Sequence, residues 1–191
     1  MRLLLIGAPG SGKGTQAVRI ADRLGITHIS SGDLLRQHVT EGTALGKQVQ
    51  RYVSRGDLVP DQMVLDMLRK PIIAASESGG YVLDGFPRTV EQAKVAYDTA
   101  RALGVAVQIA IHLNVPTEEL VRRLLARGRG SDDTQKVIEH RLEVYEAKTK
   151  PMIDYYAERE RLVTVDGSLP EDEVTAAVTA GIEDHRDELG D

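Results

Sequence analysis

Apolar residues fall along this chain in two rhythms. Short unbroken runs alternate with stretches where apolar positions return every three or four residues. Leu3–Ile6 is such a run and predicts a buried parallel strand. Gln16–Leu24, with Ala17, Ile20, Ala21 and Leu24, predicts a helix. Thr27–Ile29 predicts a short strand, and Ser30 with Asp33 has capping-box spacing for a helix from Leu34 to Glu41. Gly42–Gly46 breaks that helix, Leu45–Ser54 predicts another, and Arg55–Pro60 closes the segment. Asp61 is the expected cap of a helix over Gln62–Ala75, and Gly79-Gly80 ends it. Strands follow at Tyr81–Asp84 and within Val105–Val115, with a helix over Thr89–Leu103 between them. Helices are expected from Thr117 to about Ala126, from about Asp133 to Tyr145, and around Pro151 to Glu160. Leu162–Val165 is the last strand, and Asp166–Pro170 leads into a terminal helix. Strands alternating with helices predict an α/β fold with a parallel sheet covered on both faces, its site beyond the carboxyl ends of the strands.

The 191 residues, 41% hydrophobic, suffice for one compact core. Residues 30–59 form two short helices between glycine breaks, inserted after a core strand, which marks a candidate moving flap. A net charge of −5 does not favour nucleic acid or an anionic membrane, so any anion site must come from local clustering of cations. The absence of cysteine excludes a disulfide framework and a cysteine zinc site, and fits a reducing, cytoplasmic setting. No apolar run approaches membrane-spanning length, and the first residues enter the strand directly, so no signal peptide is expected.

The chemistry is concentrated in Gly7-Ala-Pro-Gly-Ser-Gly-Lys-Gly-Thr15, between the first strand and the first helix. In that context glycines let successive N–H groups turn inward as an anion nest, the helix N-terminus adds partial positive charge, and Lys13 reaches the outer phosphates. The usual pattern places Ser or Thr directly after the lysine as a magnesium ligand; here that residue is Gly14 and Thr15 follows. Magnesium is therefore expected to rest on phosphates and water, with Asp84, at the end of a strand, ordering that water. Phosphoryl transfer needs positioning and charge neutralisation, for which the planar, permanently charged arginine fork is suited. The candidates are Arg36, Arg88, Arg123, Arg127, Arg129 and Arg141. Arg88 follows a proline at a strand end, Arg127 and Arg129 flank a glycine, and Arg123 can pair with Glu119 four residues earlier. His112 and the Tyr155-Tyr156 pair read as packing, and no Ser-His-Asp or metal-ligand constellation is present in the pattern.

Together Gly7–Thr15, Ser30-Ser-Gly-Asp-Leu-Leu-Arg36, Leu83-Asp-Gly-Phe-Pro-Arg-Thr89 with Gln92, and the Arg123–Arg141 region resemble the adenylate kinases, over nearly the whole chain. The resemblance implies a P-loop NTPase-type three-layer fold: a five-stranded parallel sheet, helices on both faces, a helical nucleoside-monophosphate flap and a short lid. It implies one domain, with a core of 1–29, 60–125 and 134–191, a flap of 30–59 and a lid of 126–133. It implies that Gly10, Ser11, Gly12, Lys13, Gly14 and Thr15 hold the ATP phosphates, with Arg123 and Arg127 on the ATP side and Leu169 at the adenine. Ser31, Arg36, Gly85, Phe86, Pro87, Arg88 and Gln92 look like AMP contacts, with Asp57, Leu58 and Val59 beside the adenine. Arg129 and Arg141 look like arginines that clamp the two nucleotides together. The catalytic set is then Lys13, Arg88, Arg123, Arg127, Arg129 and Arg141.

Three features depart from the family pattern. Only four residues lie between Arg127 and Asp132-Asp133, where long-lid members carry an extra β-rich insert. Gly130 and Ser131 separate Arg129 from Asp132-Asp133, where one residue is common, and Ser31 stands where threonine is frequent. The implied reaction is MgATP + AMP ⇌ 2 ADP, with Mg²⁺ arriving with ATP, no zinc, and no nucleic-acid or membrane partner. The short lid suggests a monomer. A UMP/CMP kinase, a GTP-using AMP kinase, a partner-binding ATPase switch and a silent nucleotide-binding module are the alternatives. Ser31 and Gln92 favour adenine as the acceptor base.

Overall fold

The computed structural model describes residues 1–128, 134–159 and 161–188. Five strands form one sheet: β1 (Arg2–Gly7), β2 (Thr27–Ser30), β3 (Tyr81–Asp84), β4 (Ile109–Asn114) and β5 (Leu162–Asp166). Their order is β2-β3-β1-β4-β5, every pair parallel. The helices are α1 (Lys13–Leu24), α2 (Ser31–Thr40), α3 (Ala44–Arg55), α4 (Asp61–Glu77), α5 (Val90–Ala102), α6 (Thr117–Arg127), α7 (Gln135–Val144), α8 (Pro151–Ala157) and α9 (Glu171–Glu188).

The central strand explains the layering. Leu3, Leu4, Leu5 and Ile6 are all buried, as a strand covered on both faces requires. Leu3 and Leu5 join Val82, Ile109 and Ile111 against Ala17 and Ile20 of α1 and Val174 and Val178 of α9. Leu4 and Ile6 face the other way, toward Leu68 of α4, Ala93 of α5 and Met152 of α8, in a cluster that also holds Leu35 of α2 and Val49 of α3. The three layers expected from the pattern are therefore present. The chain turns one way from β1 to β2 and β3, and the other way to β4 and β5. The carboxyl end of β1 thus lies at the switch point where such sheets open a crevice.

Several local expectations are refined. Helix α1 begins at Lys13, three residues before the apolar pattern starts, because its first turn is the polar end of the glycine loop. Asp61 does not cap α4: it is the first helical residue, and its Oδ1 accepts a 2.6 Å hydrogen bond from Gln92 Nε2. A buried amide took the carboxylate that the helix end was expected to use. Ser30 does cap α2, accepting from Asp33 N at 3.2 Å. The helical run from α7 to α8 is joined by a π turn, Tyr145–Thr149, which the pattern did not show. Tyr155 and Tyr156 pack edge to face at 5.2 Å and are buried.

Candidate active site

A cleft of about 1170 Å³ opens at the carboxyl ends of the strands. Its floor is the loop from Gly7 to Thr15. Gly10 and Gly12 both have left-handed backbones, φ +86° and +92°, which turn the chain back toward α1. At Gly10 a Cβ would also lie 2.9 Å from Leu124, so glycine is required there twice over. Lys13 Nζ donates to Gly7 O at 2.8 Å and Ala8 O at 2.9 Å. Burial pushes its pKa down to about 8, Asp84 opposes that, and the charges of Arg88, Arg141 and Arg127 add to it. The loop therefore carries a cation held close to other cations, an arrangement that an anion would relieve.

Asp84 ends β3, beside β1. Its Oδ1 is buried with no hydrogen-bond partner among the described residues, and its Oδ2 lies 3.9 Å from where a Gly14 Cβ would stand. An orphaned carboxylate oxygen next to a phosphate loop fits a hard cation's water shell. Among the described residues, no group of three or more His, Cys, Asp or Glu side chains could hold a metal by itself.

After Asp84 the chain turns at Gly85, φ +85°, where a Cβ would stand 2.6 Å from Ser31 Oγ. A cis Phe86–Pro87 peptide follows, then Arg88. Arg88 is held at three atoms. Its N–H donates to Gln92 Oε1 at 2.7 Å, its Nε donates to Gly85 O at 2.7 Å, and its carbonyl accepts from Thr149 Oγ1 at 2.8 Å. Nε is thereby used locally, and among the described residues no hydrogen bond takes up the two terminal nitrogens. Burial lowers the Arg88 pKa, opposed by Asp84 and reinforced by Arg36. Arg36 itself pairs with Asp33.

On the opposite wall, Arg123 Nε donates to Glu119 at 2.6 Å and its Nη1 donates to Gly167 O at 2.9 Å. Glu119 also accepts from Arg122, and hydrogen bonds from Arg122 and then Arg123 hold its pKa at about 2. The pairing that spacing allowed between Arg123 and Glu119 is thus present, and Arg123 still lines the cleft. Arg127, at the end of α6, and Leu169, before Pro170, line it as well.

Gly10–Thr15, Arg36, Leu58, Asp84, Gly85, Pro87, Arg88, Arg123, Arg127, Arg141 and Leu169 are gathered around this one cleft. Ser31, Asp57, Val59, Phe86 and Gln92 line an adjoining pocket of about 70 Å³. The two spaces share Arg36, Arg88 and Arg141. Arg129 lies outside the described residues. His112 is buried on β4, and its Nδ1 has no partner among the described residues. Burial, then Lys13 and Lys150, hold its pKa below the ordinary histidine value.

Three contributors were missed by sequence reasoning. Asp61 anchors Gln92, and Thr149 anchors Arg88. His140 Nε2 lies 2.7 Å from Asp57 Oδ1, tying α7 to the loop beside the smaller pocket. None of these pairs has a spacing signal.

The family profile described as adenylate kinase matches residues 5–161. A protein named adenylate kinase 1 from Nostoc sp. is 45% identical over 179 residues, covering 94% of this chain and 97% of that protein. An adenylate kinase of Kocuria rhizophila is 43% identical over 185 residues, covering 95% and 98%. One from Micrococcus luteus is 44% identical over 193 residues, covering 99% and 94%.

Proposed function

Since the chain belongs to the adenylate kinase family and is an enzyme converting ATP and AMP to two ADP, we propose how its residues divide that work. The observation that carries the reading is the shared boundary of the two pockets. The phosphate loop lines the large cleft, Ser31 and Gln92 line the small pocket, and Arg36, Arg88 and Arg141 border both. Two nucleotides, one on the phosphate loop in the large cleft and the other reaching toward the small pocket, would meet, phosphate to phosphate, at those arginines.

In this reading Gly10–Thr15, Lys13 among them, hold the ATP phosphates, Arg123 and Arg127 flank them, and the Leu169 backbone contacts the adenine. Arg36 and Arg88 align the AMP phosphate. Its oxygen attacks the terminal phosphorus of ATP, the bond to the bridging oxygen breaks, and both products are ADP. No general base is needed, because the attacking phosphate is already anionic. Lys13, Arg88, Arg127 and Arg141, with Arg129 by family resemblance, neutralise the equatorial oxygens. Arg129 lies outside the described residues, as does most of the proposed lid.

Ser31, Asp57, Leu58, Val59, Gly85, Phe86, Pro87 and Gln92 enclose AMP. Gln92 spends one donor on Asp61 and one acceptor site on Arg88 N–H. Its amide keeps a second donor and a second lone pair for a base edge. The family works with MgATP; magnesium arriving with ATP would be supported through water by Asp84, and it supplies further charge neutralisation across the phosphates. Residues 30–59 act as a flap over AMP and 126–133 as a short lid over ATP, on a core of 1–29, 60–125 and 134–191. Their closure excludes water, which would otherwise take the phosphoryl group. Among the described residues no helix is long and apolar enough to cross a membrane. With all its proposed substrates small nucleotides, the enzyme is proposed to work as a cytoplasmic monomer.

Product accounting tests the reaction. With MgATP and AMP, two ADP form per ATP consumed, and ADP formation is negligible without AMP. One ADP per ATP, formed whether or not AMP is present, would contradict it.

A further inference from the structure

Of the three bonds that hold Arg88, two are local, to Gly85 and Gln92. The third comes from 61 residues further on: Thr149 Oγ1 donates to the Arg88 carbonyl at 2.8 Å. Thr149 is 9% exposed, so most of its surface is withdrawn from water.

Thr149 is the last residue of the π turn between α7 and α8. Lys150 N donates to Tyr145 O at 2.9 Å, five residues back. The next residue, Pro151, has no N–H to continue an α-helical ladder. An extra residue in one turn shifts the following side chains around the helix axis by about a quarter turn or more. That shift accompanies the pointing of Thr149 toward the Arg88 loop. The same helical run carries Arg141, which borders both nucleotide pockets. One continuous element therefore bears an arginine of the site in α7 and the support of another in the π turn that follows.

We infer that Thr149 is a positioning residue for phosphoryl transfer. Its hydroxyl fixes the Arg88 carbonyl, and through it the direction of the guanidinium, and the π turn is the local device that delivers that hydroxyl. The inference rests on the reading of Arg88 as the clamp on the acceptor phosphate.

The test uses Thr149→Val, which keeps the shape and removes the donor, Thr149→Ser, which keeps the donor, and Thr149→Ala as a second deletion should valine pack badly. Each is compared in the wild-type and Arg88→Ala backgrounds. Steady-state rates are measured well below the melting temperature of every variant. Thr149→Val and Thr149→Ala are expected to lower kcat about tenfold with the KM for ATP within twofold, and Thr149→Ser to restore it, the scale set by one neutral hydrogen bond. In the Arg88→Ala background, Thr149→Val should cost no further rate. A valine variant with a lower melting temperature but unchanged kcat would make Thr149 purely structural and overturn the inference. An equal further loss in the Arg88→Ala background would overturn it too, because the effect would not pass through Arg88. Near-normal turnover of Arg88→Ala alone would instead remove the premise, and the inference with it.

Discussion

Arg88→Ala is the sharpest perturbation of the proposed site. Nε is committed to Gly85 O, so the guanidinium offers its two terminal nitrogens to a phosphate as a fork. The group is buried, and among the described residues no carboxylate lies within ion-pair distance of it, so its charge is directed at whatever anion enters. Two charge-assisted bonds that strengthen as charge develops are worth about 4 kcal/mol in the transition state, roughly a 10³-fold fall in kcat. Stability should change little. The substitution forfeits one hydrogen bond to Gly85 but also removes a desolvated charge, and the two effects oppose each other within about 1 kcal/mol. Arg88→Lys keeps the charge without the fork and should recover only a small part of the rate. The assay is initial-rate ADP formation at saturating MgATP and AMP, with thermal unfolding of the nucleotide-free protein as the control. A kcat within about threefold of wild type, with unchanged unfolding, would refute the assignment of Arg88 to the reacting phosphates.

Two further outcomes follow from the geometry. In the nucleotide-free protein Lys13 gives up its proton near pH 8 instead of near 10.5. The kcat/KM for ATP should therefore hold below pH 8 and fall above it, by up to about tenfold per pH unit. For nucleotide-free stability the sign is reversed. The unfolded chain keeps that proton longer, so this group's contribution to stability rises from pH 8 toward 10.5. A flat kcat/KM profile to pH 9.5 would contradict the burial of the ammonium. At Gly46 a Cβ would lie 1.9 Å from His38 O, so Gly46→Ala must push α2 and α3 apart. It should destabilise the protein by about 1–3 kcal/mol and raise the KM for AMP while leaving that for ATP within twofold. Equal changes in both would count against 30–59 serving AMP alone.

The sheet was legible wherever burial on both faces writes itself as an unbroken apolar run, as in Leu3–Ile6. The phosphate loop was legible because its function is local: consecutive backbone groups form the nest, so spacing alone carries the signal. Arg123 with Glu119 was readable for the same reason, being one helical turn apart. The supports of the site were not. Gln92 reaches Asp61 across 31 residues, Arg123 reaches Gly167 across 44, and Thr149 reaches Arg88 across 61. Such pairs are set by how the strands order in the sheet, which no local pattern encodes. The expected cap at Asp61 failed through this competition, since a buried amide outbid an exposed helix end. The π turn was hidden because Tyr145–Thr149 has ordinary helical composition; only Pro151 beyond it hinted at a disturbed ladder.

The central claim is that two adenine nucleotides meet at Arg36, Arg88 and Arg141. The measurement that tests it most directly is ADP formation from MgATP against AMP, GMP, CMP, UMP and no acceptor in parallel. Turnover should be strong with AMP, far weaker with the other monophosphates, and almost absent without an acceptor. Turnover with CMP or UMP equal to that with AMP would contradict the reading of Ser31 and Gln92 as adenine contacts. Rapid ADP formation without any acceptor would contradict the claim that the site excludes water and holds a second nucleotide.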